Sequence, residues 1–413
     1  LVALDGATPD RVVLRVAVLD ASPDGRPRYD TVAWTPEGAD DWQLTGDRGW
    51  YRLDLSAAGP GDLGPEHWGA WLKALYLDRA TGALRLYRGA VWRLLAYPVE
   101  LAERLDAAVG PWPGPPDDAL LGQWWLESEK GIDLDVYLEQ IERLDRWLDE
   151  VLRLVVEGED FRLLLSYHPG PDEYQHSSLI VDPDQWAYSP GRAMAAAEGL
   201  KRVGRSVDAS VAAAWGALDP ARDVLVVLSD HGQLPIHRLV RLNRLLADAG
   251  LLEVTAEGAV GAGSKVRATT DGAVANLYLN RVGERPGGVV TEAEAEGLVA
   301  RLARLLADLE DGGAPLVERV VTRRDAAALG FGHPATGDLV AFLAPGSAFA
   351  PGLDGPVLGP SPYYGQHGFL ARHDGMCGML LARGAVVRPS RPAELAATEV
   401  APLVALWAGL QRP

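Results

Sequence analysis

Side chains that could bind a metal ion gather at three places in this chain. The first follows the apolar run Phe161-Arg162-Leu163-Leu164-Leu165 and reads Ser166-Tyr167-His168-Pro169-Gly170-Pro171-Asp172-Glu173-Tyr174-Gln175-His176. The second, Ser229-Asp230-His231-Gly232-Gln233, follows Val224-Leu225-Val226-Val227-Leu228. The third is Tyr364-Gly365-Gln366-His367-Gly368-Phe369. Neutral imidazole nitrogens and carboxylate oxygens together suit zinc and related divalent ions. Asp172 and His176 stand four apart after a Pro/Gly-opened turn, close enough to grip one ion. Asp230 and His231 are adjacent and project differently, as two ligands can where a strand ends in a tight turn. Glycine after His231 and after His367 lets backbone approach closely. Taken singly, Asp-xxx-His is common by chance and His-Gly carries almost no information. The order of the three clusters and their place beside apolar runs give them weight together.

The elements that must position these groups change character along the chain. The first 115 residues are expected to be β-rich. Val12 to Leu19 reads as a strand closed by Ser22-Pro23-Asp24-Gly25, Trp50 to Leu55 as a short alternating strand, and Ala74–Asp78 with Ala83–Tyr87 as a hairpin. Trp34, Trp42, Trp50, Trp68, Trp71 and Trp92 are expected to pack a core and an interdomain contact, since large rings dominate burial energetics. Gly110-Pro111-Trp112-Pro113-Gly114-Pro115-Pro116 breaks regular structure and marks the exit from this region. Beyond it, apolar residues recur at three- and four-residue spacing from Ile132 to Val156 and again from Leu200 to Leu218, predicting two amphipathic helices. Phe161–Leu165 is expected to be a strand, and Val224–Leu228 a strand buried on both faces. Helix, strand, helix, strand predicts an α/β fold with a mainly parallel sheet. Ligands bind at the carboxyl ends of strands in such sheets, which is where the first two clusters fall.

Composition bounds the rest. At 413 residues, with 48% hydrophobic and 23% charged residues, the chain is expected to form two domains or one large domain with an insertion. The formal charge of −18 argues against binding to nucleic-acid polymers or anionic lipid. Cys377 is the sole cysteine, so intrachain disulfides and Cys-based zinc knuckles are excluded, and it is expected to be a small core residue. No apolar run approaches the ~18–20 residues that span a bilayer. His237, His333 and His373 are expected to be structural or surface groups, with His373-Asp374-Gly375 a candidate for orienting His367. Neither a P-loop nor a His-Glu-xxx-His helix is present. The sequence does not indicate a compartment.

Pro171-Asp172-Glu173-Tyr174-Gln175-His176, Ser229-Asp230-His231-Gly232 and Gly365-Gln366-His367-Gly368, in this order, resemble the alkaline phosphatase superfamily, in particular its type I phosphodiesterase/nucleotide pyrophosphatase group. The stretch His237 to Leu252, containing Leu242-Asn243-Arg244-Leu245-Leu246, is similar to the segment after the Asp-His pair in that group. The resemblance covers roughly residues 120–400. It implies an alkaline-phosphatase-like α/β/α sandwich in residues 116–413, with residues 1–115 as a β-rich cap. It also implies two divalent metal ions, zinc by preference: one held by Asp172, His176 and His367, the other by Asp230 and His231. A Thr or Ser nucleophile and an early Asp would complete the second ion's site. Leu1-Val2-Ala3-Leu4-Asp5-Gly6-Ala7-Thr8 matches that opening only superficially, because Arg11 to Asp20 reads as another strand. Asp5 is therefore expected to be a cap or linker residue, and the nucleophile is expected upstream of Leu1. The implied activity is hydrolysis of a small phosphate ester or nucleotide, most simply as a phosphodiesterase. A phosphomonoesterase or cofactor-independent phosphomutase would share the ligands, and a non-catalytic metal-binding protein is the alternative of another class.

Overall fold

The computed structural model describes residues 2–4, 12–54, 67–284, 286–392 and 394–410. Two antiparallel four-stranded sheets occupy the N-terminal region. One is ordered Val2–Leu4, Val12–Leu19, Thr31–Pro36, Gln43–Gly46; the other centres on His67–Leu77, which pairs Trp50–Asp54, Leu84–Arg88 and Trp92–Leu94. The expected hairpin is present: Asp78 Oδ1 accepts from the amides of Ala80 and Thr81, and Gly82 takes a φ of 74°, which a β-carbon would resist. Leu14, Val32, Trp34, Tyr51, Leu53, Ala70 and Leu72 form the core between these sheets, with the Trp34 and Tyr51 rings stacked at 5.3 Å. Trp42 departs from the expected pattern, standing 38% exposed beside Arg15.

The long amphipathic helix spans Leu134–Gly158, two residues later than its apolar pattern suggests, because the Asp133 side chain caps it by accepting from Val136 N at 2.8 Å. The next long helix, Pro190–Gly216, begins well before Leu200. Ser189 caps it, and Pro190 occupies a first-turn position where no amide donor is needed. These two helices pack against each other and against the short helix Gly170–Ser178 through Val136, Tyr137, Ile141, Tyr174, Ala196 and Val203.

The class is α/β, as expected, but parallel pairing is limited. Among the described strands, Leu234–Arg241 and Gly346–Ala350 form the one parallel pair; the other strand pairs are antiparallel. Val266–Asp271, Val274–Leu279, Leu339–Leu343 and Val317–Thr322 make a four-stranded antiparallel sheet. Helix Glu292–Ala307 covers it with Ala295, Leu298, Leu302 and Leu306.

Two expectations fail here. Phe161–Leu165 is not a strand, and Phe161, Leu163 and Leu165 are exposed. Val224–Leu228 is a strand but is only half-buried, since among the described residues it pairs on one edge alone, antiparallel to Leu380–Gly384. An apolar run signals a buried strand only when flanking strands and covering helices take up both edges and both faces.

Candidate metal site

The helix Gly170–Ser178 opens with Pro171 in its first turn and places the candidate ligands Asp172 and His176 on one face, one turn apart. His176 Nε2 lies 3.4 Å from Asp172 Oδ2. The opposite face is anchored: the Tyr174 hydroxyl donates to Ala196 O at 2.8 Å, and Trp125 Nε1 donates to Ser177 O at 3.2 Å. On the far side of the His176 ring, Nδ1 stands 3.0 Å from Gly365 O. A carbonyl can only accept, so Nδ1 carries a proton; in the neutral ring Nε2 then has a lone pair to offer, and in the charged ring it donates to Asp172. Burial disfavours charge on His176, but its hydrogen bond and attraction to Asp172 outweigh that and raise its pKa. Burial likewise works against the Asp172 carboxylate, yet His176 and Gln233 bring its pKa below the usual range.

Asp230 and His231 follow directly from the Val224–Leu228 strand. Ser229 fixes the turn, its amide donating to Met379 O and its hydroxyl accepting from Met379 N. A β-carbon on Gly232 would stand 2.2 Å from Gly375 O, so the close approach expected after His231 is a steric requirement. Gly368, after His367, has a φ of 82° and also lies close to backbone, where a β-carbon would stand 2.8 Å from Asp271 O. His367 hangs from the short strand Gly365–Gln366, which pairs with Leu234–Pro235, and its carbonyl accepts from Ala273 N at 2.9 Å.

The three clusters converge. The His231 and His367 rings lie 4.2 Å apart, and those of His176 and His367 lie 5.2 Å apart. Asp172, His231 and His367 each offer a ligand atom within 4.8 Å of the others. This group draws one member from the set expected to hold the second ion and two from the set expected to hold the first. His176 touches it through Asp172. Asp230 Oδ2 is 3.6 Å from His231 Nε2, with its side chain mostly exposed. Two imidazoles and a carboxylate are a donor set that fits zinc. Burial, followed by the neighbouring His231 and His176, lowers the pKa of His367 and favours the neutral form that a metal requires.

The other histidines are elsewhere. His237 Nδ1 lies 3.9 Å from Asp182, and His333 accepts from Ala335 N within its own turn. His373 pairs with Glu318 at 2.8 Å rather than supporting His367. His168 Nδ1 stands 3.4 Å from the buried Asp145. Cys377 is exposed and not in the core, because Met376 takes the buried position at the end of the short turn Asp374–Met376. Asp5 and Thr8 lie outside the described residues.

Several neighbours of the site carry no role in the sequence patterns. Gln233 Nε2 donates to Asp172 Oδ1 at 2.5 Å and to Asp172 O at 3.1 Å. The Tyr137 hydroxyl bonds Asp118 Oδ1 and lies 2.7 Å from Ser177 Oγ, bracing the helix Gly170–Ser178 from behind. Glu173 faces that network, and burial, followed by Asp118 and Asp172, pushes its pKa up to about 7. Glu173 and Gln233 sit inside the quoted motifs, so their proximity was a usable signal; Asp118 and Tyr137 offer none locally.

The family profile described as "Type I phosphodiesterase / nucleotide pyrophosphatase" matches residues 87–371. No curated protein sequence matches the chain. Similar solved structures include human ectonucleotide pyrophosphatase/phosphodiesterase 5, at 16% identity and a TM-score of 0.40 over 68% of this chain and 60% of that one. The murine counterpart in complex with AMP gives the same values. Phosphonoacetate hydrolase from Sinorhizobium meliloti in complex with phosphonoformate is 17% identical, with a TM-score of 0.32 over 68% of this chain and 61% of that one. The chain thus spans about 60% of the length of the phosphodiesterase structures it matches.

Proposed function

Because the chain belongs to the type I phosphodiesterase/nucleotide pyrophosphatase family, we propose that it carries the metal-binding site of a phosphoric ester hydrolase acting on small phosphodiesters or nucleotides. The single observation behind this reading is the convergence of Asp172, His231 and His367 within 4.8 Å, from segments far apart in sequence. In this reading Asp172, His176 and His367 hold one divalent ion and Asp230 with His231 holds a second, zinc being the best fit to the donors. Bound there, the ions would supply Lewis-acid stabilisation of charge on phosphoryl and leaving oxygens. The chain's own contribution is placement. Gly365 O holds His176 in one tautomer, the glycines let the Asp-His turn and the His367 loop close in, and the ligand-bearing helix keeps two donors on one face. The net charge of −18 does not oppose an anionic ester, since local metal charge outweighs a distant field. The hydroxyl nucleophile is not assigned to a described residue. Residues 1–115 are read as a cap that selects the ester.

The test is metal stoichiometry by plasma mass spectrometry on the purified chain, with His176→Ala as control. Two ions per chain are expected, with at least one lost in the variant. No metal in a folded wild-type chain would overturn the reading. Turnover of a bis-aryl phosphate above that of a mono-aryl phosphate is the expected sign of diesterase specificity, and the reverse ratio would identify a monoesterase.

A further inference from the structure

Two glutamine side chains lie where the three ligand-bearing segments meet, and they differ in what they hold. Gln185, 3% exposed, ties the framework together. Its Nε2 donates to the carbonyls of Leu179, Ile236 and Tyr364, and its Oε1 accepts from the amides of Val181 and Asp182. None of those partners is a candidate ligand.

Gln233, two residues beyond His231, reaches across to Asp172 itself. Its Nε2 donates both to the carboxylate Oδ1, at 2.5 Å, and to the main-chain oxygen, at 3.1 Å. Two acceptors on that side fix the orientation of the amide, because Oε1 in the same place would face oxygen lone pairs. Oε1 is consequently turned inward, where it is buried without a hydrogen-bond partner. It packs against Gly365, where an added β-carbon would stand 2.6 Å from it. Gly365 in turn supplies the carbonyl that orients His176. A buried polar atom left unpaired is unfavourable, so the contact made by the other end of the amide is the one this geometry favours.

We propose that Gln233 is a positioning residue of the metal centre. By occupying Asp172 Oδ1 it leaves Oδ2, the oxygen beside His176 Nε2, to face the ion. It also couples the Asp230-His231 turn to the ligand-bearing helix, so that the two sets of donors move as one. The proposal rests on the reading of Asp172 as a metal ligand.

The experiment compares the wild type with Gln233→Leu, which removes the donor at similar volume. Zinc affinity is read by competition with a chromophoric chelator, and ligand geometry by the visible absorption of the cobalt(II)-loaded protein. Affinity is expected to fall about 10–100-fold, the range for groups that orient metal ligands, with an altered cobalt spectrum and a zinc-free Tm close to wild type. Gln185→Leu is expected to behave oppositely, losing Tm without zinc. Gln233→Asn, which draws the amide back by one methylene, is expected to lose zinc affinity like Gln233→Leu and serves if the latter does not fold. Wild-type affinity and spectrum in both Gln233 variants would overturn the proposal, as would a loss that merely follows a lowered Tm. A wild-type chain that binds no zinc would instead overturn the metal-site reading and the proposal with it.

Discussion

His231 and His367 face each other with ring centroids 4.2 Å apart and ring planes inclined by 30°. They come from turns 136 residues apart in the chain (367 − 231). Two imidazoles at this separation are unfavourable when both are charged, and burial together with His231 and His176 already lowers the pKa of His367. Ions held on the two neutral rings, one on each, would remove that repulsion and favour the juxtaposition. His367→Ala and His231→Ala are each expected to weaken zinc binding by more than the about 10–100-fold typical of outer-shell changes. His333→Ala, at an exposed turn, is expected to bind zinc like the wild type. Equilibrium dialysis against zinc, followed by plasma mass spectrometry, reads all three; equal metal content across them would remove the two rings from the site.

Gly232 offers a steric test of the same turn. An alanine there would bring its β-carbon to 2.2 Å from Gly375 O, a backbone atom held by the neighbouring turn Asp374–Met376. The Asp230-His231 turn would have to move away from His367. Gly232→Ala is expected to cost about 1–3 kcal/mol of stability, as overpacking commonly does, and to weaken zinc binding. Urea denaturation checks the first effect and chelator competition the second. Unchanged stability would mean that the turn can yield without cost.

The convergence of Asp172, His231 and His367 was legible in part because the signals of this candidate site are local. Asp-xxx-His after a Pro/Gly-opened turn, Asp-His-Gly after an apolar run and His-Gly are short patterns, and the long helix announces itself by its apolar period, though the Asp133 cap that sets its start at Leu134 was not read. Relations between segments were not legible. The bond from Gln233 to Asp172 spans 61 residues, and Tyr137, which braces the helix Gly170–Ser178, lies 36 residues before Glu173. The strand expectations failed for a related reason. Phe161–Leu165 has a strand's composition, but pairing is decided by neighbouring strands, and its own residues contain nothing about them. Val224–Leu228 does form a strand, yet its antiparallel partner, Leu380–Gly384, lies about 150 residues later and was not foreseen. Of the tryptophans expected to pack a core, Trp34 is fully buried, Trp50, Trp68, Trp71 and Trp92 are partly buried, and Trp42 is over a third exposed.

Trp50 joins the N-terminal sheets to the long helix. Its Nε1 donates to Glu139 at 2.7 Å, and the Arg143 guanidinium lies 3.6 Å from its ring and 4.6 Å from that of Trp71. Lys73, 1% exposed, completes the junction by pairing with Glu139 at 2.7 Å. Arg143 is itself buried, and burial lowers its pKa to about 9, so the flanking rings are part of what makes its position tolerable. Trp50→Ala removes one ring and the bond to Glu139 together and is expected to cost about 3 kcal/mol. Trp50→Phe, which keeps a ring, is expected to cost about 1 kcal/mol. Thermal and urea unfolding would rank the two variants, and equal losses would show that the ring over Arg143 contributes little.

Asp149, on the face of the long helix that meets Pro190–Gly216, accepts a hydrogen bond from Ser210 Oγ at 3.0 Å while its Oδ1 is buried without a partner. Burial raises its pKa above the ordinary 3.8; the Ser210 bond and His168 oppose that, and Asp145 adds to it. A carboxyl with a raised folded-state pKa holds its proton more tightly folded than unfolded. Its ionised form therefore costs stability at neutral pH, and that cost disappears as pH falls through the folded pKa toward 3.8. Asp149→Asn keeps an oxygen for Ser210 and removes the charge. It is expected to raise Tm at pH 7 by about 0.5–1 °C, a fraction of a kcal/mol in a chain of this size. The advantage should shrink as the pH is lowered toward 4, because protonation then neutralises the native carboxyl as well. Differential scanning calorimetry from pH 7 to pH 4 measures both; a lower Tm for the variant at pH 7, or a difference that does not change with pH, would show that the ionised carboxylate is stabilising where it stands.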